Sequence, residues 1–452
     1  LAQVFVADNV RPSLEEEYLR SAQYRIGQAF DAYKEAQGSG FEEIGQQSSI
    51  GVLPTAQSYR TVTRFLGIAD EKLETLVVLD VGSASAVLST YSENEAEQAK
   101  SQIRTDIGLG ASAASLVRKV PIERFRRWIP FGIAEADLLN YALNKGLRPG
   151  TIPQTREQMY IEHALLRVGI ETLLTDQRPN WRRDNVEVER IIAAGSAISG
   201  AGNAGVAAML MLDSVQPGGI TDLYADPNAL IAAMGAISYV SPAAVVQLAD
   251  TANLDFIATA FSIEGAPRYG DKAGNYRIDY GGGEVIEGTI TGGAIYVLEL
   301  APGRTANVRI NGLRRGLSIG GSRRLRRKVR GGMAGVIIDA RGRPLPLEIS
   351  LEERARYITA WYEFVSGVEH PTPEGDRLEP PIERSSPSNF QLGVAAAEEA
   401  ETPRRGLFGR RRAPKKETAL DDLLDDEDVL DEADLDSLMK ADEEMDIDDL
   451  RL

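Results

Sequence analysis

The sequence contains no cysteine and only two histidines, His163 and His370. Without cysteine there is no disulfide, no cysteine-ligated zinc site and no cysteine nucleophile. Two histidines are too few for a histidine-rich metal centre, and neither belongs to a recognisable Ser/His/Asp arrangement. The lack of cysteine fits a cytoplasmic protein, and we predict that location.

Long hydrophobic runs are also missing. No apolar stretch approaches the ~20 residues that a membrane-spanning helix needs, and no signal peptide is visible. We therefore predict no transmembrane segment. The chain begins with Leu1 instead of methionine, so we expect it to be incomplete at its N-terminus.

Acidic side chains are concentrated at one end of the chain. The net charge is −17, but residues 417–452 hold 17 acidic and 2 basic side chains, so the preceding part is nearly neutral. Because runs of like charge usually stay solvated, we predict a disordered, basic-then-acidic tail over 371–452. Its short apolar patterns suit a protein partner. The basic stretch 404–416 could contact an anionic membrane or act as a localisation signal, but we favour a linker.

The length of 452 residues allows two or three domains. Alternating strand and helix patterns over 71–268 predict an α/β lobe. Residues 1–70 read as a mostly helical segment at the C-terminal end of a preceding lobe. Short β-rich runs punctuated by Gly and Pro predict a small β domain over 269–370. Strands are predicted at 75–81, 86–92, 284–290, 294–300, 304–310 and 335–340 and within 188–200, and helices at 133–145, 155–176, 203–214, 227–239 and 349–366.

The segment LDVGSASA, residues 79–86, predicts a strand, a tight turn and a returning strand. Backbone N–H groups in such a turn can bind phosphate oxygens, and a carboxylate at the strand end, here Asp80, can hold a magnesium ion. Ser83 and Ser85 could add hydroxyl donors. The alternative is an ordinary hairpin in which Asp80 caps the turn.

A second candidate is AAGSAISGAG, residues 193–202. A Gly-rich turn between a buried strand and a helix lets a ligand approach the backbone closely. The pattern is not the dinucleotide-binding fingerprint. The alternative is a tight connection lined with small residues.

The third candidate is a basic stretch, which we interpret as a loop. Residues 311–330 carry eight basic side chains and no acidic one. This composition could bind an acidic partner or a nucleic acid, but the stretch has no aromatic side chain for base stacking, so we consider nucleic acid unlikely. The alternative is a solvated loop. The basic residues are Arg314, Arg315, Arg323, Arg324, Arg326, Arg327, Lys328 and Arg330.

Several segments in order resemble the glutamate mutase L family, a MutL-type mutase accessory family that is distinct from the mismatch-repair protein of similar name. The resemblance runs from about residue 5 to about residue 366. The segments are NVRPSLEEEYL (9–19), LPTA (53–56), LDVGSASA (79–86), RTDIGLG (104–110), NKGLRPGTIPQT (144–155), IIAAGSAISG (191–200), LDSVQPGGITDLYAD (212–226) and GVIIDARGRPLPL (335–347).

That family is similar to the actin, sugar kinase and Hsp70 ATPase superfamily. The resemblance implies a ribonuclease-H-like α/β fold, ATP and Mg²⁺ as cofactors, and an accessory or chaperone-like role for a cobalamin-dependent mutase, with no cobalamin bound in this chain. On this mapping Asp80, Gly82, Ser83 and Ser85 occupy a phosphate loop, with Asp80 at the metal. The adenosine-contacting turn would hold Gly195, Ser196 and Ser199.

The nucleotide motifs depart from the family pattern. In the phosphate loop, Ser83 replaces a Gly, Ala86 a Thr and Val87 an Asp, and in the adenosine turn Ala193 and Ser196 replace Gly. The other phosphate loop of the family is expected in an N-terminal lobe. Because positioning and electrostatics carry most of phosphoryl transfer, hydrolysis should suffer more than binding. Whether the chain is an enzyme stays open at this point. The rival hypothesis is a non-catalytic interaction protein that acts through its β domain, basic loop and acidic tail.

Overall fold

The computed structural model describes residues 4–13, single positions between 21 and 47, and residues 55–368 except 71, 96–97, 178–186, 251–253 and 348. Most described residues belong to one compact unit, Leu53–Pro387, which is the subject below. The predicted tail over 371–452 and most of the helical segment over 1–70 lie outside the described residues. In the separate unit that contains the N-terminus, residues 4–13 form neither helix nor strand.

The order of strands in the larger sheet is β3-β2-β1-β4-β5-β6-β12-β9. A second sheet has the order β11-β10-β7-β8. The strands are β1 (Thr75–Val81), β2 (Ala86–Ser92), β3 (Ala99–Arg104), β4 (Arg190–Ala194), β5 (Gly219–Asp226), β6 (Asp255–Ser262), β7 (Lys272–Gly281), β8 (Glu284–Thr291), β9 (Ile295–Leu298), β10 (Thr305–Asn311), β11 (Leu325–Arg330) and β12 (Val336–Asp339).

Helices flank the larger sheet. They are α1 (Thr55–Ala69), α2 (Ala113–Lys119), α3 (Ile122–Arg126), α4 (Glu135–Leu147), α5 (Arg156–Gln177), α6 (Ser196–Ser199), α7 (Ala204–Val215), α8 (Leu230–Ile237), α9 (Pro242–Asp250) and α10 (Leu351–Ser366). Ser350 and Glu353 form a reciprocal capping box that begins α10.

The first five strands show the fold class. β1 pairs with β4, and β4 with β5, in parallel, whereas β2 is antiparallel to both β1 and β3. This order, with β2 reversed, is the ribonuclease-H-like arrangement, so the expected α/β fold is confirmed. The sheet continues through β6, β12 and β9, which brings strands from both sides of residue 268 together. The domain boundary at 268/269 stays a prediction.

The two faces of β1 explain where its last side chains lie. Val77 and Leu79 pack in the core beneath α5 and α7, whereas Leu76 and Val78 pack in the core beneath α1 and α8. Successive side chains of a strand point to opposite faces. Asp80 therefore faces α1.

A buried ionic cluster joins α5, α7 and the end of β12. Asp213 lies 2.7 Å from both Arg167 and Arg341. Asp339 lies 2.7 Å from both Arg341 and Arg343. All five side chains are at most 2% exposed. Two segments of the family resemblance, those with Asp213 and with Asp339, thus meet in the core.

The basic stretch is not a loop throughout, and this corrects our expectation. Residues Leu325–Arg330 form β11, which pairs antiparallel with β10. Leu325 and Val329 are more buried than the basic residues between them. An edge strand can keep charged side chains in water while its apolar residues face the core, which is why a basic sequence forms a strand here.

Candidate functional site

The ends of three parallel strands bring two carboxylates to one edge of the larger sheet. Asp80, near the end of β1, lies opposite Ala194 of β4, and Ala194 lies opposite Asp226 of β5. Neighbouring strands are about 4.8 Å apart, so the two Asp backbones are roughly 10 Å apart. Ligands of open α/β sheets commonly bind beyond the carboxyl ends of the strands.

Asp80 is half-buried, and its side chain has one hydrogen-bond partner among the described residues. The hydroxyl of Tyr59, on α1, donates a hydrogen bond to Asp80 Oδ2 at 2.8 Å. Burial raises the pKa of Asp80, the Tyr59 hydrogen bond opposes that rise, and the charge of Asp226 adds to it. Asp80 Oδ1 makes no hydrogen bond within the described part of the chain, so one carboxylate oxygen can still take a ligand.

The turn after β1 forms a small cradle of backbone donors. Gly82 N–H donates to the Ser85 carbonyl at 2.9 Å and closes the turn. The N–H groups of Ser83, Ala84 and Ser85 donate to no acceptor among the described residues. Successive unpaired N–H groups of this kind favour anions, phosphate included.

A neighbouring loop fixes this turn. Ser83 Oγ accepts the Ala111 N–H at 3.1 Å, and its carbonyl accepts the Gly110 N–H at 3.0 Å. A side chain on Gly108 would place Cβ 2.4 Å from the Ser83 carbonyl oxygen, so glycine is needed for the close approach. The RTDIGLG segment therefore supports the turn, and the Ser83 hydroxyl takes part in that support as an acceptor.

The turn after β4 lies beside the end of β1. Gly195 has φ +100°, and a Cβ there would lie 2.5 Å from the Val81 carbonyl oxygen. Ser199 Oγ donates to the Gly195 carbonyl at 3.1 Å. Ser196 is exposed. The hydroxyls of Ser85 and Ser196 have no hydrogen-bond partner in the described ranges, so both are available to bond a ligand.

The predicted nucleotide residues thus lie on adjacent turns that follow the neighbouring strands β1 and β4. Their roles stay predictions. Sequence reasoning missed Tyr59 and Asp226, which contact or influence Asp80. Asp226 accepts the N–H groups of Leu230 and Ile231 at 2.9 and 2.8 Å and so holds the start of α8. Asp226 is the last residue of LDSVQPGGITDLYAD (212–226), one of the segments that resemble the family, so the sequence could have identified it as a candidate site residue.

Residue types in the site fit a magnesium–phosphate group. No group of three or more His, Cys, Asp or Glu side chains that could hold a metal occurs in the ranges that the structure describes. Mg²⁺ commonly uses one or two carboxylates, with phosphates and water completing its shell. Asp80 Oδ1 and the N–H groups of residues 83–85 would suffice for that arrangement.

The predicted basic residues lie on or beside the second sheet. Three of these side chains contact other residues of the chain. Arg314 pairs with Asp271 at 3.1 Å, and Arg323 donates to the Leu313 carbonyl at 3.0 Å. The Arg330 guanidinium lies over the ring of Phe256, 4.2 Å from its centre. The remaining five make no side-chain hydrogen bond or ion pair with a described residue. They are Arg315, Arg324, Arg326, Arg327 and Lys328.

A family model described as MutL protein matches residues 2–252, which is more than half of the chain. The chain belongs to the MutL protein family. This is the glutamate mutase L family that the sequence resembles. Comparison with curated proteins found no match. No helix in the described part of this MutL protein is long and apolar enough to cross a membrane.

Solved structures similar to this MutL protein include component A of the (R)-2-hydroxyglutaryl-CoA dehydratase of Acidaminococcus fermentans, at 10% identity and a TM-score of 0.23. An archaeal actin homologue is 18% identical with a TM-score of 0.24. An activator of the 2-hydroxyisocaproyl-CoA dehydratase from Clostridium difficile, with bound ADPNP, is 12% identical with a TM-score of 0.22. The matches cover 40%, 42% and 43% of this chain and 66%, 55% and 68% of those chains.

Proposed function

We propose that this MutL family protein is an ATPase-like accessory protein that binds a nucleotide at the shared edge of β1 and β4. The observation that carries the proposal is the cradle of three unpaired N–H groups at residues 83–85 beside the Asp80 carboxylate. The family membership supports an accessory role for a cobalamin-dependent mutase. A cytoplasmic location stays part of the proposal.

Each group in the site has a distinct task in this proposal. The N–H groups of residues 83–85 and the Ser85 hydroxyl bind phosphate oxygens. Asp80 holds Mg²⁺ through Oδ1, while Tyr59 fixes its other oxygen. The exposed Ser196 faces the nucleoside side of the ligand, on the turn after β4. When bound, Mg²⁺ neutralises charge on the phosphates.

A second candidate is a degenerate ATPase that binds without turnover and works as an interaction protein. Two contacts favour it. The Ser83 hydroxyl accepts the Ala111 N–H, which fixes the position of that side chain, and one Asp80 oxygen accepts the Tyr59 hydroxyl. A carboxylate oxygen held by Tyr59 is not free to orient an attacking water, so hydrolysis should be slow even where binding persists.

Calorimetric titration with Mg-ATP tests the shared part of both candidates. Asp80→Ala should weaken binding at least tenfold, about 1.4 kcal/mol. Asp137→Ala, which removes an exposed carboxylate from α4, is the matched control and should bind as the wild type does. Wild-type protein that folds but binds no Mg-ATP would contradict the proposal. Phosphate release then separates the candidates, since only the first predicts turnover.

Capture of a mutase tests the partner separately. The wild-type chain, with and without Mg-ATP, is mixed with a purified cobalamin-dependent mutase and analysed by light scattering. A nucleotide-dependent complex is the expected result. A complex that forms equally with Asp80→Ala and without nucleotide would favour the interaction protein.

A further inference from the structure

A row of arginines crosses three strands of the second sheet. Arg326 of β11 lies directly opposite Arg309 of β10, and Arg309 lies directly opposite Arg277 of β7. Arg277 pairs with Glu287 of β8. The side chains of Arg309 and Arg326 are exposed and make no hydrogen bond or ion pair with any described residue.

This arrangement opposes like charges across a strand pair. Directly opposite residues in an antiparallel pair have Cβ atoms about 5 Å apart, and like charges there destabilise the sheet. The row carries three guanidiniums and one carboxylate. Fold stability therefore does not explain why two arginines, Arg309 and Arg326, lie opposite each other. An anion bound between their guanidinium groups would offset the repulsion.

The row continues along the edge of the sheet. Arg326 and Lys328 are two residues apart on β11, and Arg324 lies in the bend that immediately precedes the strand. Alternate residues of a strand share a face and repeat every ~6.6 Å. Arg309, Arg324 and Arg326, together with Asn311 and Gly312, line a concave surface that borders an open pocket with a volume of about 580 Å³.

β11 is also an edge strand, because β10 is its only neighbour among the described strands. An edge strand presents unpaired backbone groups that an extended peptide can use. Charged residues on an edge strand are often only a protection against aggregation. Arg309 lies on the inner neighbour, β10, so that explanation does not account for it.

We propose that an extended acidic segment of a partner protein binds along β11 as an added strand, with carboxylates at alternate positions contacting Arg326 and Lys328 and reaching the neighbouring Arg309 and Arg324. Alternate carboxylates repeat at the spacing of Arg326 and Lys328 on β11. The concave surface has no aromatic lining residue, which disfavours a single-stranded nucleic acid because its bases would lack a stacking partner.

The test uses a fluorescein-labelled peptide of alternating Glu and Thr residues and the full chain. Arg309→Gln/Arg326→Gln should weaken binding at least tenfold. The control Arg118→Gln/Arg148→Gln makes the same charge change at exposed positions outside this sheet and should leave affinity within twofold. Amide hydrogen exchange at residues 325–330 should slow when the peptide is added.

Two results separate this site from general charge attraction or misfolding. Arg309→Gln/Arg326→Gln should melt at or above the wild-type temperature, since it removes a repulsion, so its loss of binding is not a loss of fold. Equal binding by both double variants would overturn the proposal. Equal affinity for a peptide with its Glu residues in one block, or tighter binding of an oligonucleotide of matched charge, would also overturn it.

Discussion

Asp213 is one of the two carboxylates that balance the charge of the buried ionic cluster, and its loss should destabilise the fold. It lies between Arg167 and Arg341, 2.7 Å from each, and all three side chains are at most 2% exposed. Asp213→Asn keeps the shape of the side chain but removes its charge. The two guanidiniums then face a neutral amide in a site that is shielded from bulk solvent.

The charge balance of the cluster sets the magnitude. Three arginines and two aspartates give a net charge of +1, and Asp213→Asn raises it to +2. Removing one partner of a buried pair costs about 3–5 kcal/mol, because an uncompensated charge stays buried. Arg167→Met lowers the net charge to zero, so we expect it to cost less than Asp213→Asn.

Urea unfolding followed by circular dichroism measures these differences. The control is Asp271→Asn, which breaks a pair with Arg314 whose side chains are about half exposed. Exposed pairs contribute about 0–1 kcal/mol, so the control should unfold almost as the wild type does. The reasoning is refuted if Asp213→Asn costs no more than Asp271→Asn, or if Arg167→Met is the more damaging change.

Three further outcomes can be measured. Because burial raises the pKa of Asp80, ionisation of this carboxyl lowers the free energy of unfolding as pH rises from the unfolded-state pKa to the folded-state pKa. Asp80→Asn should therefore have a higher urea midpoint than the wild type at pH 8, and the difference should shrink toward pH 4. A difference in midpoint that does not change with pH would contradict this. Gly108→Ala should cost about 1–3 kcal/mol of stability and weaken Mg-ATP binding in calorimetry, because its Cβ would lie 2.4 Å from the Ser83 carbonyl oxygen, whereas Gly150→Ala, with open space around it, should do neither. Ser350→Ala removes the cap of α10 and should lower the free energy of unfolding in urea by about 1 kcal/mol; an unchanged midpoint would count against the capping box.

Local patterns in the sequence were sufficient for much of the fold. Apolar runs that end in turn residues predicted 75–81 and 86–92, which are the observed bounds of β1 and β2. The basic strand β11 was missed because four of its six residues are charged, and only its place at a sheet edge lets it form. The continuation of the larger sheet through β12 depends on tertiary pairing, which no local period reports.

Part of the candidate site could also be predicted from local sequence patterns. A turn that follows a buried strand is a local feature, so the segments around Asp80 and Gly195 could be found. Tyr59 could not, because its contact with Asp80 depends on how α1 packs on the sheet. The hydrogen bond from the Ala111 N–H to the Ser83 hydroxyl could not be predicted either, since the two residues are 28 positions apart along the chain.

The buried ionic cluster also limits how this chain can be divided. A polypeptide cut at residue 252, where the family match ends, would keep Arg167 and Asp213 but lose Arg341 and Asp339. It would also leave β5 without β6 along one edge. Residues 2–252, which the family model matches, are therefore not expected to fold as an independent unit. Fusion proteins and expression fragments should extend at least through α10, and shorter pieces should be recovered as protease-sensitive or aggregated material.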